Sequence, residues 1–187
     1  MAIKKNLSRQ TGITSFQRDA SESVNHFSYM GKGELGGKAH GLAKIKNYLE
    51  SFSSEHPVDE VEIGIPPLTV ITTSFFDQFM EMNHLYDIVG LEMSDEKLAH
   101  HFQKAELPPL LNGDLRSLIS KANTPLAIRS SCLLEDSLES PFAGVYQTKM
   151  IPNNQSDTNS RFSKLVEAIK FIYASTFFRN ARNYMRS

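Results

Sequence analysis

The chain has 187 residues, of which 40% are hydrophobic and 22% charged, and its net charge at pH 7 is −1. This composition suits one folded domain, or one domain with a small lobe. Without a basic block, the chain lacks the electrostatic footprint of nucleic-acid binding, and its single cysteine, Cys132, excludes an internal disulfide. No apolar stretch approaches the roughly 20 residues of a membrane span. The polar start does not resemble a secretory signal, so we expect a cytoplasmic protein without membrane partners.

The N-terminal third is predicted to consist of an arm, a glycine cluster and a helix. Residues 1–25 are polar and are interpreted as a loose or surface-packed extension. A short apolar run, Phe27–Met30, precedes the glycine cluster GKGELGGKAHG, and the pattern becomes helical after Lys38. Apolar residues then recur at spacings of three and four, which predicts one apolar helix face: Leu42, Ile45, Leu49 and Phe52.

The middle of the chain is predicted to contain a strand followed by helices. Ser53–Glu62 is interpreted as a charged loop, and Ile63–Thr73 as a turn and a β-branched strand. A helix is expected over Ser74–Asn83, with Ser74 as its N-cap and with four core residues: Phe75, Phe76, Phe79 and Met80. Residues 84–124 are predicted to be mostly helical, with three breaks: Pro108, Pro109 and Gly113.

The last third of the chain is predicted to contain two short strands and a helix. Pro125–Ser131 is expected to be a buried strand, and Gly144–Pro152 alternates well enough to be a half-buried one. The chain from Arg161 onwards is expected to form a final helix, because apolar residues recur there at helical spacing.

The glycine cluster matches the pattern G-x-G-x-x-G over Gly31–Gly36. A dinucleotide-binding interpretation needs a preceding strand and a later acid, which one of Asp59, Glu60 and Glu62 could provide. However, the preceding strand is short, and the later sequence does not continue as alternating strands and helices. A structural glycine turn at a helix start is a further alternative.

A P-loop is the poorer interpretation of the same cluster. That motif needs a glycine where Lys32 stands and a hydroxyl after Lys38, where Ala39 stands. The chemistry nevertheless favours a phosphate ligand. Gly36 and Gly37 lack a β carbon and let backbone N–H groups approach an anion. The following helix start and Lys38 add positive charge.

A second candidate anion site follows the Pro125–Ser131 strand. Arg129, Ser130 and Ser131 combine a planar guanidinium with two small hydroxyls, a set that can bind a phosphate. The alternative is a structural ion pair between Arg129 and either Glu135 or Asp136, and the pattern alone does not decide between them.

Three segments together resemble the N-terminal nucleotide-binding domain of the phosphoenolpyruvate synthase and pyruvate phosphate dikinase family, which includes the rifampin phosphotransferase. They are Gly36–Gly37–Lys38 before a helix, IPPLTVITT over residues 65–73, and RSSCLLEDSLESPFAGVYQT over residues 129–148. The similarity runs from about Phe27 to the C-terminus in the family's order. The implied organisation is an extension over residues 1–25 and an ATP-binding domain over residues 26–187.

The resemblance assigns roles to particular residues. Lys38 and Arg129 correspond to the family's phosphate-contacting lysine and arginine. The other nucleotide-binding positions that it implies are Gly36, Gly37, Ser130, Ser131, Gly144 and Thr148. His40 is not expected to be the phosphocarrier, because the family's carrier histidine belongs to another domain. The sequence departs from the family pattern at five positions: Leu68, Cys132, Leu133, Leu134 and Pro141.

The implied fold is α+β: the N-terminal portion of an ATP-grasp-like domain, with a small mixed sheet flanked by helices. The implied activity is transfer of a phosphoryl group from ATP to a histidine of another domain and then to pyruvate. The Mg²⁺ ligands, the second lobe, the phosphohistidine domain and the acceptor domain are expected outside this chain. We therefore expect it to bind ATP weakly and to be inactive alone. Alternatives are a phosphotransferase with a glucan or antibiotic acceptor, or a non-enzymatic nucleotide sensor.

Overall fold

The computed structural model describes residues 13–19, 27–55, 63–131 and 145–185. Its strands are β1 (Thr14–Ser15), β2 (Phe27–Met30), β3 (Leu68–Ile71), β4 (Leu126–Arg129) and β5 (Thr148–Ile151). Its helices, numbered here in chain order, are α1 (Gly37–Glu55), α2 (Thr73–Met82), α3 (Leu85–Val89), α4 (Asp95–Lys104), α5 (Pro109–Lys121), α6 (Thr158–Ser175) and α7 (Arg179–Tyr184). No helix within these ranges is long and apolar enough to cross a membrane. The mixed content confirms the α+β prediction.

A parallel sheet of three strands, in the order β1-β2-β3, supports the glycine cluster. Phe27 of β2 pairs with Leu68 of β3, and Met30 pairs with Ile71. Parallel neighbours need a crossover connection, and α1 lies in the connection between β2 and β3. The sheet and α1 share a small apolar cluster, formed by Ile13, Phe27, Leu35, Ala39, Ala43 and Val70.

A separate antiparallel pair, β4 and β5, lies against α6. Leu126 pairs with Ile151 at one end of the ribbon, and Arg129 pairs with Thr148 at the other. Directly opposite residues share a face of a sheet, and the residues alternate between the two faces. Leu126, Ile128 and Ile151 pack against the helical core, so the face that carries Arg129 is turned away from it.

The main core is formed by the helices after β3. Phe79 of α2 and Phe102 of α4 are fully buried, and their ring centroids lie 5.9 Å apart. Tyr173 of α6 lies 5.4 Å from the Phe79 ring and 5.0 Å from the Phe76 ring. Burial raises the pKa of the Tyr173 hydroxyl. The predicted core face of α2 is confirmed for Phe75, Phe79 and Met80, which are all buried.

Several local predictions were wrong. The α2 helix begins at Thr73, and no side chain caps it from position Thr72; the Ser74 hydroxyl instead bonds the glycine loop. Pro109 opens α5 and Gly113 lies inside that helix, so neither breaks it; proline fits a helix's first turn, where its missing N–H is not needed.

The apolar face and the end of α1 also differ from the prediction. Ile45 is 50% exposed, whereas the small residues Ala39 and Ala43 are buried against the sheet. The expected loop from Ser53 begins later, because α1 continues to Glu55.

The described part of the polar N-terminal extension, residues 13–19, packs into the fold. Ile13 is fully buried, and β1 pairs with β2. The Arg18 guanidinium lies 2.7 Å from the Asp114 carboxylate of α5. A β carbon at Gly113 would stand 2.5 Å from Arg18 Nη2, so the glycine inside α5 makes room for this arginine.

Asp157 caps the long helix α6, and its substitution provides the first test. Its carboxylate accepts from the Ser160 and Asn159 N–H groups and the Ser160 hydroxyl. The Ser160 hydroxyl, followed by the backbone bonds, lowers the Asp157 pKa. We expect Asp157→Ala to lower the melting temperature at pH 7, and Asp157→Asn to lower it less, because asparagine also caps helices.

The pH dependence of the stability of wild type and Asp157→Asn also tests the cap. Because the folded-state pKa is lowered, the charge stabilises the fold above the unfolded value of about 3.9. That stabilisation is lost as the pH falls through the lower folded-state pKa, so wild type and Asp157→Asn should converge there. Thermal unfolding followed by circular dichroism measures this, with Glu92→Gln in an exposed loop as the control. A difference in melting temperature between wild type and Asp157→Asn that stays constant down to acidic pH would contradict the capping role.

Candidate functional site

The loop between β2 and α1 depends on its glycines. Gly31, Gly33 and Gly36 have φ angles of +94°, +100° and +82°, a region that side chains with a β carbon rarely adopt. The loop changes direction at these glycines and leads directly into the first turn of α1. The G-x-G-x-x-G match therefore corresponds to actual turns of the backbone. Among the described residues, however, the sheet beside it contains only β1, β2 and β3.

Hydroxyl side chains at the start of α2 hold this glycine loop in place. The Ser74 hydroxyl accepts from the Lys32 N–H at 3.0 Å, and the Thr73 hydroxyl accepts from the Glu34 N–H at 3.1 Å. The backbone adds reciprocal bonds, from the Thr73 N–H to the Glu34 carbonyl at 3.1 Å and from the Ser74 N–H to the Lys32 carbonyl at 3.3 Å. The loop is therefore fixed at two points.

Ser131 joins the second candidate motif to the first. Its hydroxyl donates to the Leu35 carbonyl and accepts from the Ala39 N–H, each at 3.1 Å, although Ala39 and Ser131 are 92 positions apart. Ala39 is in the first turn of α1, where N–H groups have no acceptor within the helix. A β carbon built on Gly36 would stand 1.4 Å from the Ser131 carbonyl oxygen. Only glycine allows this close approach of the two motifs.

The first turn of α1 is chemically suited to an anion. It contains no acidic residue, and it begins with Gly37 and the partly buried Lys38. The His40 N–H donates to the Gly36 carbonyl at 3.1 Å, as the start of the helical ladder. The His40 ring lies with Nδ1 3.0 Å from the same carbonyl, and because a carbonyl only accepts, Nδ1 is the protonated nitrogen in this contact.

Arg129 and Thr148 are cross-strand partners on the outer face of the β4–β5 ribbon. Both residues are exposed, and Cβ atoms of directly paired residues lie about 5 Å apart. Arg129 is two residues before Ser131, and Ser130 lies between them. The structure thus brings Thr148 beside Arg129, and it brings Ser131 against the glycine loop.

Some of the sequence interpretations fall outside the described residues. Gly144 and the departures Cys132, Leu133, Leu134 and Pro141 lie there, and so do Glu135 and Asp136, the acids that could pair with Arg129. Leu68, the remaining departure from the family pattern, is described. It lies in β3, pairs with Phe27 and packs against the sheet cluster, so it contributes to the core of the sheet.

A metal site was expected outside this chain. Within the described ranges, no group of three or more His, Cys, Asp or Glu side chains could hold a metal ion. The location of the Mg²⁺ ligands stays a prediction.

A family comparison identifies the domain that these features build. The model of the pyruvate phosphate dikinase AMP/ATP-binding domain matches residues 32–187. The chain belongs to this family. Members of this family are phosphotransferases, and the matched region is their ATP-binding domain. The match confirms the resemblance and supports ATP as the ligand. Neither the search of curated proteins nor the search of solved structures gave a match.

Sequence reasoning missed the hydroxyls of Thr73 and Ser74, although a signal for them exists. The strand Leu68–Ile71 is followed directly by three hydroxyl residues, Thr72–Ser74. The strand Phe27–Met30 is followed directly by the glycine loop. Parallel strands with a crossover bring their C-terminal ends to the same sheet edge, so adjacent parallel strands would have placed these hydroxyls beside that loop.

The substitution Gly36→Ala tests the contact between the glycine loop and Ser131 most directly. Gly36→Ala places a methyl group where the Ser131 carbonyl stands and forces alanine to a φ of +82°. We expect a loss of stability of about 2 kcal/mol or more, from steric overlap and backbone strain. The amide signals of Ser131 and Ala39 should also shift in NMR spectra, because the segments must separate.

Gly90 provides the matched control for that substitution. It has a φ of −77°, and a β carbon there meets nothing within 4 Å. Gly90→Ala should be neutral or stabilise by up to about 1 kcal/mol. Urea unfolding measures both variants. Equal stability of Gly36→Ala and Gly90→Ala would contradict the close packing of Gly36 on Ser131.

Proposed function

We propose that this chain provides the phosphate-binding part of a phosphoenolpyruvate synthase-like enzyme, a pyruvate, water dikinase. The contact of Ser131 with Gly36 and the α1 start carries the proposal. It holds Ser131, which follows Arg129 and Ser130, at the N-terminus of α1, where Gly37 and Lys38 lie. In this reaction, ATP phosphorylates a histidine of another domain, and that phosphoryl group then passes to pyruvate.

The chemistry asked of these residues is positioning and neutralisation of charge. Phosphoryl transfer needs little covalent participation from protein groups, because its transition state spreads negative charge over phosphate oxygens. Lys38 would act as a compact cation and Arg129 as a planar fork for phosphate oxygens. The N-terminal end of the α1 dipole adds partial positive charge. Thr148 and Gly144 would line the same nucleotide.

Other parts of the proposal lie beyond the described residues. Mg²⁺ would bridge phosphate oxygens and carboxylates, and we place those carboxylates in the second lobe. A cytoplasmic location and the boundary of the ATP-binding domain at residue 26 belong to the same proposal. A glucan or antibiotic acceptor requires the same ATP site, so the acceptor domain distinguishes these enzymes from one that uses pyruvate.

A non-catalytic nucleotide sensor is the alternative of a different class. Two departures from the family pattern motivate it, at Leu68 and Leu133. The position of Leu68 in the sheet cluster removes the first of these motives, since this side chain acts in packing. A phosphorylated histidine in the longer protein would favour the enzyme, and nucleotide binding without phosphorylation would favour the sensor.

Charge removal at the proposed phosphate site tests ATP binding. We expect the 187-residue chain to bind ATP with a dissociation constant of about 0.1–1 mM, or −4 to −5.5 kcal/mol, because contacts from only one lobe offset the entropy of binding poorly. Lys38→Gln and Arg129→Gln should each weaken binding at least about tenfold. NMR titration or calorimetry with ATP measures this at low ionic strength.

The control for these variants is Lys44→Gln, which removes one positive charge from an exposed position of the same helix. It should leave ATP affinity unchanged within about twofold, because exposed charges away from the ligand are screened. Melting temperatures of all three variants distinguish a loss of binding from a loss of folding. Unchanged ATP affinity in both Lys38→Gln and Arg129→Gln would sink the proposed phosphate site.

His40 tests the route of the phosphoryl group. Its Nδ1 bonds the Gly36 carbonyl of its own helix start. We expect that His40 is not the phosphocarrier, because the carrier histidine that the family resemblance implies belongs to another domain. In the longer protein, His40→Ala should retain the acid-labile, base-stable phosphohistidine signal after reaction with labelled ATP. A folded His40→Ala protein without that signal would make His40 the carrier and overturn this assignment.

A further inference from the structure

Residues 13–19, here called the N-terminal strap, contact both hydrophobic clusters of the fold. Ile13 is fully buried in the cluster of the parallel sheet, whereas Phe16 packs against the helical core. Between these two contacts, β1 pairs with β2. The strap precedes residues 32–187, which the family model matches, so the family match does not account for it.

One face of α5 binds Arg18 of the strap through both its side chain and its carbonyl group. The guanidinium donates to the Asp114 carboxylate at 2.7 Å and to the Leu110 carbonyl at 3.1 Å. The Arg18 carbonyl accepts from the Ser117 hydroxyl at 3.0 Å and from the Lys121 ammonium. These four positions of α5 recur at spacings of three and four, so they lie on one face of the helix.

Gly113 makes the same face of α5 fit Arg18. The atoms nearest to a β carbon built there are three atoms of the Arg18 guanidinium, at 2.5, 2.8 and 2.9 Å. Glycine in a helix interior is unfavourable relative to alanine, so helix formation gives no reason for it. The room that it leaves for Arg18 does give a reason.

The contact between the strap and α5 joins the elements that precede the two halves of the proposed phosphate site. The Phe16 N–H donates to the Tyr29 carbonyl of β2 at 2.8 Å, and β2 leads directly into the glycine loop. On the other side, Lys121 is the last residue of α5, and the next element along the chain is β4, which ends at Arg129.

The end of α5 is also bonded to the far end of the β4–β5 ribbon. The Ala122 carbonyl accepts from the Asn153 amide and from the Arg161 guanidinium, each at 2.8 Å. Asn153 follows β5, Arg161 belongs to α6, and both are buried. A displacement of the end of α5 would therefore move the ribbon as well.

We propose that Arg18 is a positioning residue of the phosphate site: by holding the strap on α5, it fixes the glycine loop relative to the strand that carries Arg129. This assignment rests on the proposed phosphate site. The side chains of Arg18 and Asp114 are 46% and 20% exposed, and such ion pairs contribute little to global stability. Residues that touch no ligand can still alter affinity through connected contacts. The effect of Arg18 is therefore expected on ATP affinity rather than on global unfolding.

Gly113→Ala tests this role without a change in charge, because the methyl group displaces the Arg18 guanidinium. Since alanine favours a helix, the midpoint of urea unfolding should not fall. The ATP affinity of the 187-residue chain, measured by NMR titration, should nevertheless fall about two- to tenfold. Arg18→Ala should weaken ATP binding to a similar extent. On that background Gly113→Ala should add little, since no guanidinium remains to be displaced.

Hydrogen exchange measures the positioning without a ligand. The Phe16 amide reports the pairing of the strap with β2. The Ala39 amide, which donates to the Ser131 hydroxyl at 3.1 Å, reports the junction of the two motifs. Both amides should exchange about two- to tenfold faster in Gly113→Ala. The amide of Ile169 in α6 should keep its rate, because global unfolding is unchanged.

Two substitutions elsewhere serve as controls. Gly90→Ala adds a methyl group where nothing lies within 4 Å. Lys104→Ala removes one positive charge from the exposed end of α4, as Arg18→Ala does from the strap. Both controls should retain the ATP affinity and the Ala39 exchange rate of wild type, because neither changes the contact between the strap and α5.

The possible outcomes separate the positioning role from the phosphate site. If Gly113→Ala kept the ATP affinity or the Ala39 exchange rate of wild type, the positioning role would be overturned and the phosphate site would stand. Weaker ATP binding together with a lower unfolding midpoint and faster Ile169 exchange would also overturn it, since the contact would then act on stability alone. If wild type bound no ATP, the proposed function would fail. Faster Ala39 exchange in Gly113→Ala would then still show that Arg18 fixes the junction of the two motifs, and unchanged exchange would overturn that as well.

Discussion

The packing of Gly36 on Ser131 is the constraint on which the proposed site depends. A β carbon on Gly36 would overlap the Ser131 carbonyl oxygen, so the approach requires a glycine. The Ser131 hydroxyl then donates to the Leu35 carbonyl and accepts from the Ala39 N–H. These bonds satisfy polar groups that a loop and a helix start otherwise leave to water. One residue thus fixes the end of the strand that carries Arg129 against the helix that carries Lys38.

The two sides of this contact are supported by different parts of the fold. On one side, the parallel sheet and the hydroxyls of Thr73 and Ser74 hold the glycine loop. On the other side, the β4–β5 ribbon lies on α6 and the aromatic core. Each support involves segments far apart in sequence, so the site exists only in the folded chain. A family that binds AMP or ATP benefits from such pre-organisation, because less ordering is needed on binding.

The sequence predicted features that depend on local chemistry, and it was wrong where tertiary contacts decide. The strand containing Arg129 was predicted from the short apolar run Leu126–Ile128, but it was wrongly expected to be buried, since its residues are half-buried or exposed. The helix after the glycine cluster follows from its apolar spacing. Ser74 was wrongly placed as an N-cap, because its hydroxyl has a distant partner, the Lys32 N–H. Gly113 was wrongly interpreted as a break, because its lack of a β carbon accommodates Arg18 of a remote segment. No local pattern contains those partners.

The packing of α1 shows why site geometry and core packing are connected here. The helix buries Ala39 and Ala43 against the sheet, whereas Ile45 points to solvent. Small residues at this spacing let a helix lie close to the strands. Ala39 also gives its N–H to Ser131, so the same residue belongs to the core cluster and to the junction of the two motifs. A larger side chain at Ala39 would push the helix start away from the sheet and from Ser131 together. The packing of Ala39 in the first turn of α1 therefore contributes, together with the contact of Gly36 with Ser131, to the position of the proposed phosphate site.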